Sequence, residues 1–119
     1  MNAVYDPLYL FIDGEWIAAN ERETAPVINP ATKGELGRVP LATITDLDHA
    51  LTVTRRAFDV WRNTAPAERA RILRRAAELM RERAPHIAEL MTLEEGKPLA
   101  ESRDEVQRAA EYFEWFSEE

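Results

Sequence analysis

Apolar residues near the N-terminus bunch or alternate, whereas from Thr45 onward they recur at steps of three and four, so the pattern predicts strands followed by helices. Leu8-Tyr9-Leu10-Phe11-Ile12 is a β-rich run, Asp13-Gly14 is a two-residue hairpin turn, and Glu15-Trp16-Ile17-Ala18 alternates as the return strand. Residues 20–25 are polar and turn-like. Pro26-Val27-Ile28-Asn29-Pro30 is a short extended piece held by a proline at each end. A turn over 31–34 leads to another short strand, Glu35-Leu36-Gly37-Arg38-Val39-Pro40, weakened by its glycine.

The first helix is expected to open at Thr45, where a threonine cap with Asp48 three residues later approximates a capping box. Leu47, Ala50, Leu51, Thr54, Ala57, Phe58 and Trp61 then form one stripe. Pro66 starts a second helix, with Ile72, Leu73, Ala76, Leu79 and Met80 on one face. Pro85 begins a third, with Ile87, Leu90, Met91 and Glu94 on one side. Glu94-Glu95-Gly96-Lys97-Pro98 then stops it, because glycine supplies a left-handed cap and proline prevents continuation. A fourth helix follows, striped by Leu99, Val106, Ala109, Ala110, Phe113 and Phe116, and it reaches Glu119 without a stop signal, as if cut within or at the end of a helix. Strands then helices give α+β for the isolated chain, with hairpin and short extended segments over 1–44 and a helical segment over 45–119. The same order also fits a few antiparallel strands attached to a larger α/β domain.

Composition narrows the function classes. No run approaches the length of a membrane span, and Met1-Asn2-Ala3-Val4-Tyr5-Asp6 lacks the basic and apolar regions of a signal peptide, so the expectation is a soluble, cytoplasmic protein with no membrane partner. The chain has no cysteine, which excludes a disulfide framework, a thiolate metal site and a cysteine nucleophile within it. From Glu89 on, ten acidic residues face three basic ones, so the whole formal charge of -7 resides there and residues 1–88 balance. Such a chain repels phosphate backbones, and no nucleic-acid partner is expected.

Candidate chemistry is sparse. His49 and His86 have no Cys or His at ligand spacing. Arg69, Arg71, Arg74, Arg75, Arg81 and Arg83 are interleaved with Glu68, Glu78 and Glu82, the usual look of a solvated helix face. Glu94/Glu95 and Asp104/Glu105 are adjacent carboxylates that point in different directions on a helix, without the apolar cleft that acid/base catalysis needs. Gly34-Glu35-Leu36-Gly37 lacks both the dinucleotide pattern and a P-loop Lys-Ser pair. Trp16, Trp61 and Trp115 read as core or interface anchors. Neither a catalytic nor a cofactor-binding residue emerges from the residues themselves.

In order, Phe11-Ile12-Asp13-Gly14-Glu15-Trp16, Ile28-Asn29-Pro30-Ala31-Thr32, Ala57-Phe58-Asp59-Val60-Trp61, Arg69-Ala70-Arg71-Ile72-Leu73 and Thr92-Leu93-Glu94-Glu95-Gly96-Lys97-Pro98 resemble the N-terminus of the NAD(P)-dependent aldehyde dehydrogenase superfamily. The ending, Ala100-Glu101-Ser102-Arg103-Asp104-Glu105-Val106 and Glu114-Trp115-Phe116-Ser117-Glu118-Glu119, is most similar to its succinate-semialdehyde branch, with 2-oxoglutarate-semialdehyde dehydrogenases second. The resemblance implies an incomplete part of a coenzyme-binding domain, roughly the first quarter of an oligomeric enzyme that oxidises a semialdehyde to a carboxylate with NAD or NADP. Its nucleophilic cysteine, general-base glutamate and dinucleotide sheet come later in the family, so this chain alone is expected to be non-catalytic and to bind no cofactor. The match also implies a monovalent-cation site from the backbones of Val27 and Ile28 and the carboxylate of Glu94, where some relatives carry the shorter Asp. It further places Glu105, Val106 and Ala109 at the border of the substrate entrance.

Two partners are expected for the apolar helix faces: the remainder of the dehydrogenase, or other copies of the chain through self-association. The alternative is an autonomous helical interaction module that binds through Phe113, Trp115 and Phe116. A nucleic-acid binder using the arginine helix is the third reading.

Overall fold

The computed structural model describes residues 5–20 and 22–118; residues 1–4, in the stretch expected to lack a signal peptide, Glu21 in the expected turn, and Glu119, where the fourth helix was expected to reach, lie outside the described residues. The chain divides into two compact units, Met1–Asn63 and Thr64–Glu119. The first helix belongs to the same unit as the strands.

In the first unit, β1 (Leu10–Ile12) and β2 (Glu15–Ile17) form an antiparallel hairpin with Phe11 opposite Trp16. Its turn has φ of 53° at Asp13 and 83° at Gly14, the pair of positive values that a right-twisted two-residue hairpin demands. The Phe11 and Trp16 rings lie 4.6 Å apart at a tilt of 44°, and Tyr9 meets Trp16 edge-on at 6.2 Å. The second hairpin joins β3 (Thr24–Ile28) to β4 (Glu35–Pro40). Asn29 shapes its loop, accepting at Oδ1 from the Ala31 and Thr32 amides at 2.9 and 3.3 Å while its own amide donates to the Gly34 carbonyl. Strand pairing begins at Thr24, inside the stretch expected to be a turn, because Thr24 and Ala25 find partners in Pro40 and Val39.

Helix α1 (Ile44–Asn63) starts earlier than expected. Thr43, not Thr45, is the cap: its Oγ1 accepts from the Asp46 amide at 3.2 Å, and the Asp46 carboxylate accepts from the Thr43 amide at 2.7 Å, a reciprocal capping box two residues upstream. Asp46 wins because its carboxylate also receives both guanidinium nitrogens of Arg22, at 2.6 and 3.0 Å.

The second unit consists of α2 (Pro66–Glu82), α3 (Ala84–Glu95) and α4 (Leu99–Glu118), with α4 packed along both of the others. Its buried residues are small: Ala77 on α2, Ala88 on α3, and Ser102, Val106, Ala110 and Ser117 on α4. Small side chains let helix axes approach closely. That requirement rotates α4 away from the expected stripe. Val106 and Ala110 are inside as expected, but Leu99, Phe113 and Phe116 are exposed, while Ser102 and Ser117 are buried on the helix. Ile72 on α2 is likewise exposed. None of the three tryptophans is buried, so none serves as a core anchor. No helix among the described residues is long and apolar enough to cross a membrane.

Candidate functional site

The best-built feature is the corner between α3 and α4. Gly96 caps α3 with φ of 75°, and its amide donates to the Thr92 carbonyl at 2.9 Å. Lys97 then bridges Glu95, at 2.8 Å, and Glu105 on α4. The Glu105 carboxylate, with that of Glu95 behind it, raises the Lys97 ammonium above its ordinary pKa, and Lys97 in turn lowers that of Glu105. Beneath this pair the Thr92 and buried Ser102 hydroxyls lie 2.9 Å apart. The Gly-Lys-Pro step is thus a mechanical joint that sets how α4 leaves α3. Glu105 is held ionised by its lysine, the opposite of the raised pKa that a general acid needs at neutral pH.

On the far part of α4, Tyr112, Trp115 and Phe116 form an exposed aromatic patch, lining with Arg108 and Glu111 a recess of about 410 Å³. The sequence found Phe113, Trp115 and Phe116; Tyr112 was missed, and its position one helical step from the other two was the available signal. Of the residues expected at a substrate entrance, Glu105 is engaged with Lys97, Val106 is buried in the three-helix unit and Ala109 is half-buried.

The implied cation ligands fall in different units. Val27 and Ile28 lie on β3, opposite Gly37 and Glu35, and the register slips between them so that Leu36 has no partner across the strand. Glu94 is exposed in the last turn of α3, in the second unit. Both offer oxygen donors, the kind a hard cation takes. Among the described residues no group of three or more His, Cys, Asp or Glu side chains is arranged to hold a metal ion.

The other candidates resolve into structure. Arg71 pairs with Glu68, Arg75 with Glu78 and Glu82, and Arg81 donates two bonds to Glu114 on α4, at 3.0 and 2.6 Å. These arginines already have carboxylate partners, so they form no stripe open to phosphate. Among the described residues the two sheets are two-stranded and antiparallel, and none of α1 to α4 follows the glycine-rich strand turn on which a dinucleotide fold places its pyrophosphate.

The backbone and sequence have clear relatives. The chain is 45% identical over 108 residues to the succinate-semialdehyde dehydrogenase [NADP(+)] of Escherichia coli, a match covering 91% of this chain and 22% of that one. It is 41% identical over 109 residues to the 3-sulfolactaldehyde dehydrogenase of Pseudomonas putida, covering 92% of this chain and 22% of that protein. The crystal structure of aldehyde dehydrogenase from Brucella melitensis biovar abortus superposes with a TM-score of 0.91 at 38% identity, over 99% of this chain and 25% of that one. The chain therefore spans between a fifth and a quarter of the length of the proteins it matches. A family model for the aldehyde dehydrogenase family matches residues 16–119, nearly the whole chain. Together with the hairpin, the capped Gly-Lys-Pro corner and the shared backbone, this match establishes that the chain belongs to the aldehyde dehydrogenase family.

Proposed function

We propose that the chain is the N-terminal segment of a cytoplasmic dehydrogenase that oxidises an aldehyde bearing a distal anionic group, a semialdehyde in the first instance, to the corresponding acid with NAD or NADP as hydride acceptor. The observation that carries this reading is the 45% identity to a succinate-semialdehyde dehydrogenase that the chain covers only in part. The second relative is named for a sulfonated aldehyde, so a substrate with a second, negatively charged end is common ground. The segment's own share is scaffolding. It has no cysteine to attack a carbonyl, and Glu95 and Glu105 at the α3–α4 corner are paired with Lys97. What it presents instead is the aromatic patch of α4, a surface of the type that another part of a protein covers.

The test starts with the coding DNA beyond codon 119. A frame that continues and encodes a cysteine further on is expected, and the full polypeptide should reduce NAD(P) with succinate semialdehyde, followed by absorbance of the reduced nucleotide. The 119-residue chain alone should show no turnover. A natural stop codon after Glu119 would overturn the reading and favour the autonomous module, whose support is the exposure of Phe113, Trp115 and Phe116.

A further inference from the structure

Two packings are open to α4. The observed one is close and buries Ser102, Val106, Ala110 and Ser117, with Ala77 and Ala88 the buried residues of α2 and α3. A wider helix separation would suit a neighbouring face instead, since the distance between helix axes follows the size of the side chains at the contact. That face holds Ala109, Phe113 and Phe116, which by helical spacing lie on one side of Ala110. Ala109 and Ala110 have the same volume, yet one is half-buried and the other fully buried. Phe113 and Phe116 are 40 and 62% exposed, so covering them draws α4 to turn about its own axis toward that second packing.

Two ion pairs oppose the turn. Lys97 holds Glu105 at the α3–α4 corner, and Arg81 on α2 donates both guanidinium nitrogens to Glu114 at 3.0 and 2.6 Å. The glutamates are nine positions apart, about two and a half turns, so they project from opposite sides of the helix. Turning α4 to cover Phe113 and Phe116 would draw Glu114 away from Arg81. The same turn would swing Glu105 off Lys97 and toward the interior, where an ionised carboxylate is disfavoured. We propose that this pair of clamps sets the rotation of α4 about its axis, selecting the close packing and holding Phe113 and Phe116 outward against their own hydrophobicity. Glu105 and Glu114 are in this sense positioning residues, and the device does not rest on the enzymatic reading.

The chain has no cysteine, so a single introduced thiol reports the exposure of its site. Maleimide labelling of the 119-residue chain carrying Ala109→Cys or, separately, Ser117→Cys, a near-isosteric change on the buried face, measures the turn. With Glu105→Gln and Glu114→Gln added, labelling at 109 should slow by about threefold and labelling at 117 should quicken by about threefold, the scale of partly exposed ion pairs. General loosening would quicken both, so the slowing at 109 is the signature of rotation. Glu114→Arg alone should shift the two rates in the same opposite senses. Arg81→Glu with Glu114→Arg restores the pair in reverse and should return both rates to within about twofold of the original. This charge series carries the test if the double glutamine variant unfolds. Rates that quicken together, or that change at neither site, would overturn the proposal. A reversed pair as altered as Glu114→Arg alone would do so too.

Discussion

Replacing Gly96 with alanine tests whether the α3–α4 corner is set by backbone conformation. Gly96 sits at φ of 75° and donates its amide to Thr92, while Lys97 and the Thr92–Ser102 hydroxyl pair make their contacts on either side of it. An alanine held in the left-handed region costs about 1–2 kcal/mol. The more restricted unfolded chain offsets about 0.4–1 kcal/mol of that. The net loss is about 1 kcal/mol, roughly a fivefold rise in the open population of the helical unit. Hydrogen exchange of the Val106 and Ala110 amides, on the buried face of α4, reads that unit alone, and amides of α1 serve as the internal reference. Exchange at 106 and 110 should quicken about fivefold in Gly96→Ala and by less in Gly96→Asn, since asparagine tolerates the left-handed region better. Unchanged exchange in Gly96→Ala, or a larger effect from asparagine than from alanine, would refute the assignment of the corner to a left-handed cap.

Other consequences are open to measurement. Ala110→Leu should destabilise the helical unit by about 1–3 kcal/mol, because a fully buried methyl at a close helix contact has no room to grow, whereas Trp115→Ala should stay within about 0.5 kcal/mol in a thermal melt. Gly37→Ala would bring a Cβ to 2.8 Å from the Tyr5 ring, so the Tyr5 resonances should shift while the β3–β4 cross-strand contacts persist in NOE spectra; an unmoved Tyr5 would contradict the placement. The Arg22 guanidinium, with help from the Thr43 amide and hydroxyl, holds the Asp46 carboxyl well below the usual carboxylate range. A depressed folded pKa stabilises above the unfolded value near 4 and is lost as pH falls below it, so the first unit should weaken progressively in acid. Asp46→Asn should flatten that acid limb of the melting curve; an identical slope would exclude the Arg22–Asp46 pair as its source.

Local signals were legible where one residue type dictates a conformation. Asp13-Gly14 could only turn with positive φ at both positions, Pro66 could only begin a helix, and Gly96 followed by Pro98 could only end one; all three stand where the pattern put them. The first helix start was off by two residues because both Thr43 and Thr45 have an acid three positions on, and a capping pattern does not show which acid has a distant arginine. The α4 stripe was misread for a similar reason. A hydrophobicity pattern rewards Phe113 and Phe116 as core, yet close packing against α2 and α3 accepts only small residues there. Of the candidate site, the Gly-Lys-Pro corner was evident as a stop and a start, but the clamp between Lys97 and Glu105 needed the angle at which α4 departs.

The sequence by itself determined the order of elements, the turns, the absence of a thiol nucleophile and the family resemblance, since each of these depends on residues near one another in the chain or on composition alone. Tertiary structure alone decided which face of each helix is buried. A periodic pattern lists the residues on a face, but whether that face meets its own unit or is left for another body depends on side-chain size and on ion pairs formed across the fold. In α1, Asp46 and Arg56 make ion pairs within their own unit while Leu47, Leu51 and Phe58 stay exposed.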